Sequence, residues 1–257
     1  MSQFNHQLKL SIVKGIVAGY KEYVEVRNEA HKKLKVSNGY AFTKANYIDH
    51  HVALHTENFV ENTRRSAGPS WKFLLFSPTD KHHEKIFHFV VVSGRTFNKD
   101  KVNKGRRLIH NGGEPPEKKY LTELIELNRG VDFEKLNQSL HVNHQLNADK
   151  MLFDMINNDS SDKIKFIMIT YDVDHQSKML KEIKVWIPNP MTYSAIEFLN
   201  LTEEMNDVIK NDEHYQINEE EIEVLKQDRE DVEWIDTEVF GFEIEEIKES
   251  DLQLKEA

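Results

Sequence analysis

Four side chains between residues 172 and 184 are of types that could hold a metal ion and activate water. Glu182 and Lys184 are two residues apart, so on a strand they share one face of the sheet. Asp172 and Asp174 precede them, and the turn of a hairpin would bring them close. Carboxylate oxygens that converge on one point can bind a divalent cation, which activates water for hydrolysis. The segment therefore has the residues for metal-assisted hydrolysis.

The order Asp174, then Glu182 and Lys184, is similar to the D…(D/E)xK signature of the restriction-endonuclease-like nucleases. That resemblance implies that Asp172 or Asp174, with Glu182, holds a divalent metal, usually magnesium. It also implies that Lys184 helps to position or activate water. The alternative is that these charged side chains only form the solvated tip of a β-hairpin.

Histidines are the second group that could bind a metal, since the chain contains 13 of them. His51 and His55 have the i, i+4 spacing that places two ligands on one helix face. Val52, however, occupies the position of the glutamate in an H-E-x-x-H site. We therefore predict surface histidines here and no metal site.

The third group is a basic segment between Ser93 and Gly113. From Arg64 to His110 the chain has 11 Lys and Arg against 3 Asp and Glu, a net charge of +8. Basic side chains beside glycines can contact phosphates, which gives sequence-independent affinity for nucleic acid. An aromatic ring among them could stack on an unpaired base. The candidate contacts are Arg95, Phe97, Lys99, Lys101, Lys104, Arg106 and Arg107. The alternative is a solvated loop that balances negative charge elsewhere.

Negative charge is concentrated at the other end of the chain. Residues 212–257 contain 18 acidic and 4 basic residues, a net charge of −14, within a chain whose formal net charge is −10. We predict a mildly basic body over residues 1–211 and an acidic segment over 212–257, with a helix and a short strand, packed on the body. This segment could mask the basic loop, imitate a polyanion toward a basic protein surface, or serve only solubility.

Several classes of protein are disfavoured by what the sequence lacks. There is no cysteine, which excludes disulfides and thiolate metal sites and favours the cytoplasm. No apolar run approaches the ~20 residues that a membrane span needs. The phosphate-binding loop and the dinucleotide-binding glycine motif are also absent, which disfavours nucleotide-driven motors and dehydrogenases.

The elements that must position these residues follow from hydrophobic periodicity. We predict helices over residues 4–35, 46–65, 120–128, 193–210 and 219–229, with a poorly patterned helical region over 132–158. We predict strands over residues 71–76, 86–92, 163–172, 181–187 and 239–244. The fold class is therefore α+β, with N-terminal helices followed by two antiparallel hairpins that helices and the basic loop separate.

The leading hypothesis is a non-catalytic binding protein that engages DNA, RNA or another polyanion through its basic loop. It needs no cofactor, and magnesium enters only under the nuclease alternative. A third hypothesis is an interaction or inhibitor protein whose acidic end binds a basic protein surface.

Overall fold

A computed structural model describes residues 6–67, 72–79, 87–104, 117–142 and 165–227. Its centre is a six-stranded sheet with the strand order β1-β2-β3-β4-β5-β6. The strands are β1 (Val60–Ser66), β2 (Lys72–Pro78), β3 (His88–Ser93), β4 (Phe166–Val173), β5 (Leu180–Pro188) and β6 (Ala195–Asn200).

The sheet is antiparallel except for the parallel pair β3 and β4. The two predicted hairpins are confirmed as β2–β3 and β4–β5, and they join side by side into one sheet. All side chains from Phe166 to Tyr171 are buried, as predicted for a strand that is covered on both faces. The α+β prediction is confirmed.

The helices are α1 (His6–Lys33), α2 (Lys44–Thr56), α3 (Lys119–Ile125), α4 (Phe133–Val142), α5 (Thr202–Asn211) and α6 (Glu219–Lys226). Among the described residues, none of these helices is both long and apolar enough to span a membrane. The predicted helices over residues 4–35 and 120–128 are confirmed, the second ending in a 3-10 turn over Glu126–Asn128.

Two apolar clusters cover the two faces of the sheet. On one face α1, α2 and α5 pack against side chains such as Phe76, Ile169 and Val185. On the other face α3 and the loop after β3 pack against side chains such as Val90 and Met168. We call these the α1 face and the α3 face. Residues that alternate along β4 therefore point to different helices.

The acidic helix α6 lies against α1. Its apolar residues Ile222 and Leu225 are buried with Tyr20 and Val24 of α1. Lys21 of α1 forms an ion pair of 2.9 Å with Glu221. Burial opposes the charge on Glu221, but the N–H of Asn218 and the charge of Lys21 hold the pKa of that carboxyl below its ordinary value. The part of the acidic end that the structure describes, up to Gln227, therefore lies on the α1 side of the sheet.

Two predicted helices are partly wrong, because a strand replaces part of each. The helix predicted over 46–65 ends at Thr56, and Val60–Ser66 forms β1. The helix predicted over 193–210 begins only at Thr202, after strand β6. Both strands are edges of the sheet, where pairing with one neighbour sets the backbone and no strong apolar alternation is needed.

Some predicted features lie outside the described residues. These are Arg106, Arg107, the helical region beyond Val142 and the strand over 239–244.

Two glycines of α1 allow α2 to approach closely. A Cβ at Gly15 would lie 2.6 Å from the Cα of Val52, and one at Gly19 would lie 2.6 Å from the Cα of Ile48. Both obstacles are backbone atoms of α2, which no rotamer change can move. The spacing of four residues places both glycines on one face of α1, and this face contacts α2.

We expect Gly15→Ala and Gly19→Ala each to destabilise the protein by about 1–3 kcal/mol through overpacking. This sign is opposite to the ~1 kcal/mol gain that alanine brings to a helix interior. Urea unfolding measures the change. Gly39→Ala is the control, because no atom lies within 4 Å of its added Cβ. Equal stability of Gly15→Ala and wild type would contradict the close packing.

Asp49 is a carboxyl of α2 held against the sheet. Its Oδ2 accepts a hydrogen bond of 3.1 Å from the backbone N–H of Leu74 in β2. Burial nevertheless raises the pKa of Asp49 to about 7. The charge of Asp49 in turn adds to burial in raising the pKa of the Tyr171 hydroxyl. The carboxyl of Asp49 therefore keeps its proton to a higher pH in the folded chain than in the unfolded chain.

Because the folded state raises this pKa, the protein binds an extra proton on folding between about pH 4 and pH 7. The free energy of unfolding should fall as the pH rises through that window. Asp49→Asn keeps an oxygen acceptor for Leu74 and removes the titration, so we expect a gain of roughly 1–3 kcal/mol at pH 8 and a flatter profile. Thermal unfolding from pH 4 to 8 measures both. Asp207→Asn, which removes an exposed carboxylate of α5, is the control. A pH profile for Asp49→Asn that matches wild type would contradict this assignment.

Candidate nucleic-acid interface

The basic loop after β3 is anchored by two apolar side chains. Phe97 is 7% exposed and Val102 is 2% exposed, and both join the cluster on the α3 face. The ring of Phe97 lies 5.0 Å from the ring of Trp186 in β5. Trp186 in turn donates its indole N–H to the hydroxyl of Thr170 at 2.9 Å. The loop is thereby fixed to β4 and β5.

The stacking role predicted for Phe97 gains no support from the position of its ring. A base can stack only on an exposed ring face, whereas Phe97 is packed against Trp186 in the core. In this structure its ring packs the loop against the sheet.

Backbone hydrogen bonds fasten the same loop to the segment before β6. Ala195 donates its N–H to the carbonyl of Lys99 at 2.7 Å, and Val102 donates to the carbonyl of Tyr193 at 2.8 Å. With its backbone held in this way, the loop presents Lys99 and Lys101 as exposed side chains. Arg95 and Lys104 are half-buried. The predicted contacts therefore differ in how far they reach into solvent.

Sequence reasoning missed two further lysines, Lys118 and Lys119. Lys118 donates its backbone N–H to the carbonyl of Asn103 at 2.7 Å, which brings the start of α3 beside the loop. Lys119 is exposed and Lys118 is half-buried. We call the combined set the basic surface, and it consists of Lys99, Lys101, Lys104, Lys118 and Lys119. The run Lys118-Lys119 after two prolines was the available signal, but only the fold places it here.

Two carboxylates lie among these lysines: Asp100, which is exposed between Lys99 and Lys101 in the loop, and Glu117. Hydrogen bonds from the hydroxyl of Thr122, at 2.7 Å, and from the amide of Asn103, at 3.3 Å, lower the pKa of Glu117. The charges of Lys104 and Lys119 lower it further. Glu117 is therefore ionised near neutral pH and offsets part of the positive charge of the basic surface.

The carboxylate of Asp172 lies directly over the first residue of the loop. A Cβ at Gly94 would stand 2.0 Å from one oxygen of Asp172. Gly94 also donates its N–H to the carbonyl of Tyr171 at 2.9 Å. An added Cβ would force the carboxylate of Asp172 to move, so Gly94 lets the start of the basic loop lie close to the end of β4.

Asp174 is engaged in its own turn. Its carboxylate accepts hydrogen bonds from the N–H of Ser177 at 2.8 Å, the hydroxyl of Ser177 at 3.0 Å and the N–H of Gln176 at 3.0 Å. The bonds from Ser177, with that from Gln176, lower the pKa of Asp174. This carboxylate therefore stabilises the turn between β4 and β5.

Glu182 and Lys184 share a face, as predicted, and they form an ion pair. The Nζ of Lys184 lies 3.0 Å from Glu182 and 3.4 Å from Glu197 of β6. Burial lowers the pKa of Lys184, but hydrogen bonds and charges from the two glutamates outweigh it and raise the pKa. Asp172 and Glu182 are register partners on adjacent strands. The structure thus brings Asp172, Glu182 and Lys184 together and leaves Asp174 in its turn.

Within the part of the chain that the structure describes, no three His, Asp or Glu side chains converge as a group that could hold a metal ion. The two histidines of α2 have other contacts. His51 pairs through Nε2 with the carboxylate of Glu22, and His55 hydrogen-bonds through Nδ1 to the carbonyl of His51 at 2.8 Å.

The sequence matches no protein-family model, and neither the curated proteins nor the solved structures include a chain that it significantly resembles.

We expect Gly94→Ala to destabilise the protein by about 1–3 kcal/mol, because the added methyl collides with the carboxylate of Asp172. In an Asp172→Ala background the three closest obstructing atoms are gone. A double-mutant cycle measured by urea unfolding should therefore give a coupling energy of about 0.5–3 kcal/mol. Gly39→Ala in the same background is the control and should be additive. Additivity of Gly94→Ala with Asp172→Ala would refute the contact.

Proposed function

We propose that this protein binds nucleic acid, or another polyanion, through the basic surface. The observation that carries the proposal is the pair Lys99 and Lys101, which are exposed on a loop whose backbone is fixed from both sides. Side chains on an immobile backbone can contact phosphates without the loss of entropy that ordering a flexible loop would cost.

The expected mode of binding is contact with the phosphate backbone. The candidate aromatic residue of the loop is buried, so base stacking adds nothing from this side chain. Lysine ammonium groups act as point charges toward phosphates and read little sequence. Binding should therefore depend steeply on salt and only weakly on base composition.

Masking of the basic surface by the acidic end gains no support from its described part. Helix α6 lies against α1, whereas the basic surface lies on the α3 face. Any masking would depend on residues after Gln227. Engagement of a basic protein partner by the acidic end, and a cytoplasmic location, stay predictions from composition.

The test is a double charge reversal, compared with a control variant that has the same net charge. We expect Lys99→Glu with Lys101→Glu to weaken binding of labelled DNA and RNA at least tenfold. The slope of log affinity against log salt should become shallower by about 2. Fluorescence anisotropy between 50 and 200 mM salt, roughly the range over which such contacts are lost, measures both.

The matched control is Lys32→Glu with Lys35→Glu. Both lysines are exposed; Lys32 lies in the last turn of α1 and Lys35 follows the helix. Both double variants have the same net charge, so nonspecific attraction changes equally. Binding that falls by the same factor in both variants, or a wild type that binds neither nucleic acid, would overturn the proposal.

A further inference from the structure

The edge strand β1 is unusually exposed. Every residue from Glu61 to Ser66 is exposed, so neither face of the strand is covered beyond Val60. Among the described residues, β1 has β2 as its single neighbour in the sheet. An edge strand of this kind presents a row of backbone N–H and C=O groups to solvent.

Edge strands of sheets are commonly protected against pairing with another chain by a proline, by a bulge or by charged side chains. β1 contains no proline, and its seven residues pair with β2 in an unbroken register from Val60–Pro78 to Ser66–Lys72. Its backbone is therefore straight enough to accept another strand. The remaining protection is the charge of Glu61, Arg64 and Arg65.

These charges are arranged so that one register of self-pairing is complementary. If two copies of β1 run antiparallel about Thr63, Glu61 stands opposite the partner's Arg65, and the symmetry makes this pair twice. Arg64 then stands opposite the partner's Asn62. Opposite charges on directly facing residues stabilise a strand pair, and like charges destabilise it. A two-fold centred on Arg64 would instead place two guanidinium groups face to face.

We propose that β1 pairs with β1 of a second copy of this chain, centred on Thr63, so that two six-stranded sheets become one continuous sheet. The interface is isologous, and its two-fold axis closes the assembly at a dimer. The partner is identified by charge complementarity with the strand itself. The pairing does not depend on nucleic-acid binding.

The two-fold axis also determines the relative orientation of the two copies. Directly opposite residues of an antiparallel pair point to the same face, and Arg65 shares its face with Phe73 on the α3 side. Both basic surfaces would therefore lie on the same side of the joined sheet. Since only seven residues a side take part, the interface is below the size of a stable dimer and association is weak.

The first test uses the absence of cysteine from the chain. A Thr63→Cys variant places its single thiol beside the symmetry-related thiol, at a separation that suits a disulfide. We expect a covalent dimer on mild oxidation at high micromolar concentration. Met191→Cys is the control for random collision, because Met191 is 76% exposed in the wild type. Equal cross-linking of the two variants would overturn the proposal.

The second test is a charge swap followed by sedimentation equilibrium. Arg65→Glu alone and Glu61→Arg alone each create like-charge pairs, so both should weaken the dimer about tenfold or more. The double variant Glu61→Arg with Arg65→Glu should restore it. Circular dichroism shows that each variant is folded. A wild type that stays monomeric, or single variants that associate as well as wild type, would refute the pairing.

Discussion

The parallel pairing of β3 with β4 is the constraint on which the rest of the arrangement depends. Antiparallel neighbours can be joined by a short turn, but parallel strands need a crossover that returns the chain to the other end of the sheet. Here the crossover begins at Gly94 and includes the basic loop and α3. The loop therefore starts where β4 ends, with Gly94 bonded to Tyr171 and covered by Asp172.

The same constraint separates the positive and negative parts of the chain. The crossover places the basic surface on the α3 face, whereas α6 packs on α1 across the sheet. The described acidic helix and the basic surface therefore belong to different apolar clusters of the fold.

The sequence predicts an element well when buried side chains determine its conformation, and poorly when backbone pairing with a neighbour does. The central strand β4 and the helix α1 were predictable, because buried apolar residues record their periodicity directly. For the edge strands β1 and β6 the sequence predicts helix, whereas backbone pairing with a neighbour decides their conformation. Exposed lysines of the loop were predictable from charge. Phe97 was not, since a ring that anchors and a ring that stacks on a base are the same residue in a sequence.

The segment from Asp172 to Lys184 shows why a pattern of charges does not by itself define chemistry. Carboxylates grouped on a sheet repel one another, and either a metal ion or a basic side chain can offset that repulsion. In this sheet Lys184 lies between Glu182 and Glu197, and those glutamates favour its protonated form. A lysine held in this way is a poor base, because it retains its proton at neutral pH. The ammonium group of Lys184 lies between two glutamates, so these three residues stabilise the junction of β5 and β6.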